Sequence, residues 1–329
     1  MKHDSGAHTL HESRLVALDD HYEIAVNSFL VAGNNHLFNE PRFFELHATS
    51  PNDVYAQLVR KSDKAVCATI AYYEIDNGQF VSPKRGTFGG LGLNRPLDRD
   101  VIERFFLAVF DYATQAGART FLLAAPPLSH DPSLGSIMCN ILLRHGWTLS
   151  GYDLNYDMRV DDRQFVDRID YGNVKRIRKC AKEGFVTEYL DEAGYEAAYQ
   201  VIAENRQRRG FPMSMTSVEL NKMAEVFSER FHCFAVYSDL RKAQMLAAAV
   251  CLSLSSSILY VFYWGDAANM QQYSPIALLA SCIYGFCQLN AYTLLDAGTS
   301  TLKGEPNPGL ITFKRNLGFT ESLKPSFTC

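Results

Sequence analysis

Residues 292–319 read YTLLDAGTSTLKGEPNPGLITFKRNLGF. A strand-like apolar run, YTLLDAG, gives way to turn residues and then to a helical segment that stops at Gly318, just before Phe319. A glycine there reads as the left-handed stop of a helix that precedes a strand. The same order occurs once earlier: RTFLLAA at 119–125 is followed by a helical stretch that stops at Gly146, before Trp147. Leu122 and Leu294 are 172 residues apart, and so are Gly146 and Gly318. Two landmarks sharing one offset imply tandem duplication of an α/β unit much longer than a solenoid repeat.

Working outward, the second half reads as strands HCFAVYSD (232–239), MLAAAVCLSL (245–254) and SILYVFYWG (257–265), then a long helix from Pro275 to Leu289. The first half offers strands DVYAQLVR (53–60), AVCATIAYYEI (65–75) and the glycine-rich RGTFGGLGL (85–93), then an amphipathic helix from Arg99 to Gln115 and a last strand from Trp147 onward. Helical spacing also predicts short helices around Tyr22–Val31 and Arg42–His47. The polar DDRQFVDRID interrupts the pattern, so the boundary is expected near Asp161–Asp170, giving domains 1–165 and 166–329. The expected fold class is α/β (α+β), with a mixed sheet flanked by helices in each domain.

Composition narrows the function. The 329 residues carry 32 Lys plus Arg against 36 Asp plus Glu, a net charge of −4, so no global basic field exists to hold DNA and any anion site must be local. Eight scattered cysteines without a C-x-x-C pair read as reduced, small apolar residues, not as a zinc site or a disulfide frame. The N-terminal MKHDSGAHTLHESRL lacks an apolar core, which predicts a cytoplasmic protein, with His8 and His11 as tail residues and no metal site. Met245–Gly265 carries no charge over a length close to a membrane span. Ser253, Ser255, Ser256 and Ser257 split it, so two buried strands joined by a polar turn are expected instead.

Three segments are candidates for chemistry. In WGDAANMQQYSPIALLA, Ser274 and Pro275 are suited to N-cap and first helical position, and the start of that helix would attract phosphate; equally, Ser-Pro simply starts helices well. At the matching junction LNRPLDRD, Asp98 and Asp100 would repel phosphate. In GNVKRIRKCAKEG, Lys175, Arg178, Lys179 and Lys182 fall at i, i+3, i+4 and i+7 on one helical face, with Val174, Ile177 and Ala181 on the other. That stripe reads either as a solvated face or as an anchor for an anionic substrate. Arg206, Arg208 and Arg209 close the next helix, where cations suit its dipole. In the C-terminal stretch, Asp296 is placed at the carboxyl end of a central strand and Lys314 on the helix after it, as catalytic groups or as a turn cap and a surface cation. No G-x-S-x-G, Walker loop, G-x-G-x-x-G or H-E-x-x-H occurs, which argues against hydrolases, NTPases, dinucleotide enzymes and zinc enzymes.

With SPKRGTFGGL, LLAAPPL, RIRKCAKEG, the Y-S-P helix start, LLDAGTS and GLITFKRNLGF in place, the chain resembles the GNAT acyltransferases. As two such units from about Phe38 to Phe319, it resembles the Fem-type peptidoglycan-bridge aminoacyltransferases and their acetyltransferase relatives. The resemblance implies two tandem GNAT-like domains, an acceptor side first and an acyl-donor side second, and transfer of an acyl group to an amine without a covalent enzyme intermediate. It implies acetyl-CoA or another acyl-CoA as cosubstrate, no metal, and a phosphate loop at Gln272, Tyr273, Ser274, Ile276 and Ala277, where Pro275 replaces a glycine and removes one N–H. Lys314 occupies the position of a catalytic tyrosine or F-K lysine, where it would stabilise developing negative charge, with Asp296 or Asp266 as base. Lys175, Arg178 and Lys179, with Lys84 and Arg85 and with Trp264, would bind a small-molecule or peptidoglycan-precursor acceptor. The competing readings are aminoacyl-tRNA-dependent transfer to such a precursor and a binding module without activity.

Overall fold

A computed structural model describes residues 13–30, 36–270 and 272–329; His8, His11 and the end of the Tyr22–Val31 stretch lie outside them. In chain order the elements are β1 (Arg14–Ala17), β2 (Tyr22–Val26), α1 (Pro41–His47), β3 (Val54–Arg60), β4 (Val66–Asp76), β5 (Gln79–Ser82), β6 (Gly92–Leu93), α2 (Arg99–Gln115), β7 (Thr120–Ala124), α3 (Pro132–Arg144) and β8 (Thr148–Arg159). There follow α4 (Tyr171–Lys182), β9 (Val186–Leu190), α5 (Tyr195–Arg208), α6 (Ser217–Val226), β10 (Phe231–Tyr237), β11 (Met245–Ser253) and β12 (Ile258–Asp266). The chain ends with α7 (Pro275–Leu289), β13 (Leu294–Thr299), β14 (Thr301–Leu302), β15 (Glu305–Pro306), α8 (Pro308–Asn316) and β16 (Thr320–Thr328). Two compact units result: Met1–Tyr152 with Leu323–Cys329, and Asp153–Ser322.

In the first unit, β1 to β5 form an antiparallel run, β7 joins parallel to β5, and the last residues of β16 close the sheet antiparallel to β7. Phe105 and Phe106 of α2 and Ile141 and Leu142 of α3 pack on one face with Phe121, Leu123 and Phe327. In the second unit, β9 to β12 are antiparallel, β13 lies parallel to β12, and Asp153–Arg159 of β8 closes the sheet antiparallel to β13. Its core is built on α7 with Leu259, Val261, Leu295 and Leu317. The repeat is thus visible in the structure: both units place a helix between two parallel strands, and β8 and β16 begin 172 residues apart. Gly146 and Gly318 both stop helices at φ +82.

Four expectations change. The helix expected over Tyr22–Val31 is strand β2, whose residues pair on both edges, Val26 with Arg14 of β1 and Tyr22 with Arg60 of β3, so sheet pairing overrides the helical spacing. RGTFGGLGL is a loop except for β6, because Gly86 (φ +97) and Gly90 (φ +85) adopt backbone that strands exclude. A Cβ at Gly89 would meet the Pro83 nitrogen at 2.7 Å, so this loop packs tightly on the end of β5. Ala181 is exposed; the inward face of α4 keeps Val174 and Ile177 as expected and adds Asn173 and Cys180. Finally, the Ser274 side chain caps nothing; that residue is left-handed at φ 50. The uncharged stretch forms β11 and β12 joined by the serine turn, and among the described residues no helix is long and apolar enough to cross a membrane.

Candidate functional site

One buried polar cluster of the second unit lies at the carboxyl end of β13. Asn307 caps α8 by accepting from the Leu310 amide, and Pro308 occupies the first turn. Lys314 sits in the last turn of α8 at 1% exposure. Its ammonium donates to the carbonyl of Gly298 at 2.8 Å and of Thr299 at 2.9 Å, and lies 5.5 Å from the centre of the Tyr156 ring. Burial pushes its pKa down to about 7, and the Asp296 charge resists that shift.

Asp296 is fully buried. Its Oδ1 accepts from Asn155 Nδ2 at 2.8 Å and from the Gly298 amide at 2.6 Å. The second bond belongs to a turn that needs Gly298 at φ +75, with the Tyr260 ring 3.5 Å from where a Cβ would stand. Lys314 and Asp296 therefore grip the same two-residue turn, the lysine by its carbonyls and the aspartate by its amide. Neither Asn155 nor Gly298 was among the candidates: Asn155 lies 141 positions from its partner, and no local spacing marks such a contact.

Asp266 belongs elsewhere. Asp296 is level with Tyr260 in the parallel register, six residues before Asp266 on β12, a separation of about 20 Å along the strand. Asn205 of α5 donates to both the carbonyl and the carboxylate of Asp266, and Arg208 donates to the same carbonyl at 2.5 Å. Burial pushes the Asp266 carboxyl up while the Arg209 and Arg208 charges pull it back. The alternative pair of bases is thus divided between two environments. Trp264 packs edge-on against Phe313 and Phe319, at 5.8 and 6.4 Å, on either side of the Lys314 turn.

The proposed phosphate loop is largely engaged. The Tyr273 and Ser274 amides both donate to the Met270 carbonyl, at 3.0 and 2.8 Å, and the Ala277 amide donates to the Ser274 carbonyl at 2.9 Å. Pro275 has no N–H to offer. The Ile276 and Ala277 side chains belong to the core, and Gln272 is exposed. Alongside this loop runs α4: Cys180 Sγ donates to the Tyr273 carbonyl, and Lys179 Nζ stands 4.4 Å over the Tyr273 ring. Lys175, Arg178, Lys179 and Lys182 are all exposed. Arg206 is tied to the Pro212 carbonyl. Lys84 and Arg85 lie in the first unit, where Lys84 donates to Thr49 Oγ1 and Arg85 is exposed. Among the described residues no group of three or more His, Cys, Asp or Glu side chains gathers to hold a metal.

No protein-family model and no curated protein matches the sequence. Solved structures do match the fold. FemX aligns over 96% of both chains with a TM-score of 0.67 at 12% identity. L-PGS from Bacillus licheniformis aligns over 81% of each chain at 0.53 and 12% identity, and a conserved protein of unknown function from Bacteroides thetaiotaomicron over 88% of each at 0.55 and 8%. The chain has the fold of FemX over almost its whole length, built here from two α/β units.

Proposed function

We infer that the chain is an acyltransferase of the aminoacyl type, in which an amine attacks the ester carbonyl of an aminoacyl-tRNA. The new C–N bond forms as the ester C–O bond breaks, and the amine's proton passes to the departing ribose oxygen. The observation that favours this donor over acyl-CoA is the engaged state of the Tyr273, Ser274 and Ala277 amides together with Pro275: a pyrophosphate needs those N–H groups turned outward. In this reading Lys314 is a positioning residue. It holds the Gly298–Thr299 turn and, in its protonated form, adds positive charge at the end of β13 for the oxyanion that develops on the carbonyl. Asp296 fixes the same turn from the other side. The second unit is assigned to the donor, and Arg85 of the first unit to the acidic groups of a peptidoglycan-precursor acceptor.

The test is transfer of a labelled amino acid from charged tRNA to a UDP-linked muropeptide, run beside labelled acetyl-CoA with the same acceptor. Product from the tRNA alone supports the reading. Product from acetyl-CoA alone overturns it in favour of an acetyltransferase, and product from neither, with no stabilisation of the protein by any of these ligands, favours a binding module.

A further inference from the structure

We propose that the outer face of α4 is a docking surface for single-stranded RNA, which deepens the aminoacyl-tRNA reading by giving the nucleic acid a place to bind. The face is built from Lys175, Arg178, Lys179 and Lys182, all exposed on one helix, and among the described residues none of the four forms an ion pair with a carboxylate. Several other cations on this acidic chain are compensated, among them Arg60 by Asp63, Arg99 by Glu103, Arg104 by Asp19 and Lys242 by Glu188, but a run of four on one helical face is not. Like charges at i, i+3 and i+4 repel and destabilise a helix, so an uncompensated stripe matches a polyanionic partner from outside. From Lys175 to Lys182 it runs about 10 Å, long enough to follow consecutive phosphates.

A tyrosine ring separates RNA from other polyanions. Lys175 Nζ stands 4.4 Å over the ring of Tyr171, itself 66% exposed, and Lys179 Nζ stands 4.4 Å over the ring of Tyr273. Tyr273 is half-buried and packed on Phe185, so Tyr171 is the ring open for stacking; cations beside such a ring suit a strand whose phosphates meet the former while a base stacks on the latter. A lipid headgroup has no base to stack. The apolar side of α4, Val174 with Cys180, is packed inward, so the helix has nothing to insert into a bilayer. The Tyr273 carbonyl is bound to Cys180, which places this face directly beside the start of α7.

Fluorescence anisotropy of a labelled short single-stranded RNA against the full chain tests the surface. Four neutralised phosphates give a log–log salt slope of about −3, and Lys175→Glu/Lys179→Glu flattens it to about −1.4 while weakening binding at least about tenfold. Tyr171→Ala weakens binding about fivefold or more through lost stacking, whereas Lys222→Glu, an exposed charge change on α6, stays within about twofold of wild type. No RNA binding, equal loss in Lys222→Glu, an unaffected Lys175→Glu/Lys179→Glu or Tyr171→Ala, or capture by phosphatidylglycerol vesicles but not by RNA, each overturns the proposal. Binding is read without turnover. RNA capture by a chain that transfers nothing would therefore sink the functional reading alone, and undiminished tRNA-dependent transfer by Lys175→Glu/Lys179→Glu would sink the docking face alone.

Discussion

An ammonium enclosed by two backbone carbonyls and a tyrosine ring is a charge with little water to stabilise it. Lys314 has its pKa lowered from the ordinary lysine value of 10.5 to about 7. The folded chain consequently binds fewer protons than the unfolded one between those limits, so its stability rises with pH across that window. Urea unfolding of wild type and Lys314→Met at pH 7 and pH 10 checks this: the wild type gains on the variant as pH rises, and a constant difference would contradict the burial of the charge. Because the lysine also fixes the turn at Gly298, Lys314→Met is expected to lower kcat for tRNA-dependent transfer by about tenfold or more, with KM changed less. Lys314 and Asp296 were legible as a pair because the strand-to-helix order brings residues 18 positions apart to one edge of the sheet. That they act on one another's turn, and not on open solvent, was not legible, since burial to this degree depends on Tyr156 and Asn155 from a distant strand.

His232 obeys the same rule, since its protonated form is also a cation that burial disfavours. Its Nδ1 meets the Tyr189 hydroxyl at 3.0 Å and its Nε2 the Ser253 hydroxyl at 2.6 Å, and Ser253 in turn meets Tyr292 at 2.5 Å. Burial lowers its pKa from 6.5 to about 4. The unfolded chain takes up the proton first, so the stability held above pH 6.5 is lost as pH falls toward 4, on the order of 3 kcal/mol at most. His232→Gln keeps hydrogen-bonding capacity without that titration. The difference in unfolding free energy between wild type and His232→Gln should shrink between pH 7.5 and pH 4.5, and a difference independent of pH would show that the imidazole is not held neutral.

At the scale of elements, the two helix stops are a natural pair for comparison. Gly146 and Gly318 share φ +82, but a Cβ at Gly146 meets nothing within 4 Å, whereas one at Gly318 meets the Arg168 carbonyl oxygen at 2.6 Å. Gly146→Ala is expected to cost about 1 kcal/mol, the penalty of the left-handed conformation alone. Gly318→Ala adds a backbone clash, and a loss of roughly 3 kcal/mol or more is expected by denaturant titration. Equal losses would mean that the contact with Arg168 relaxes freely. Both stops, and helices α2 and α7 to the residue, were legible because long amphipathic helices carry their own period and punctuation. Strand β2 was not, since YEIAV fits both helical and alternating spacing and only its neighbours decide. The start of α7 shows a different limit: Ser-Pro marks the boundary correctly, but the direction in which the amides point follows from the left-handed Ser274, which depends on the whole preceding turn.

Over the whole molecule, the duplication was read from two glycines and two leucines, and the strands after Gly146 and Gly318 were legible too, but not which sheet each one closes. Phe327 shows why. It is 2% exposed in the core of the first unit, pairs with Leu123, and lies more than 200 positions beyond the strand it adjoins. Deleting Leu323–Cys329 removes that strand and exposes the edge of β7. The first unit should then lose hydrogen-exchange protection in β5 and β7, while β10 to β12 of the second unit keep theirs. Uniform loss through the chain would show that the two units unfold as one.

The seven residues that complete the first sheet, Leu323–Cys329, leave the ribosome only after the whole of the second unit. Everything up to Tyr152 is synthesised long before its final strand exists, so the first unit waits with an open β7 edge through the production of more than half the chain. The second sheet has no such delay, because its borrowed strand, Asp153–Arg159, precedes it. Assembly during translation therefore runs against the order of the sequence: the later repeat is the first that can be finished, and emergence of Leu323–Cys329 is the event that seals the earlier one.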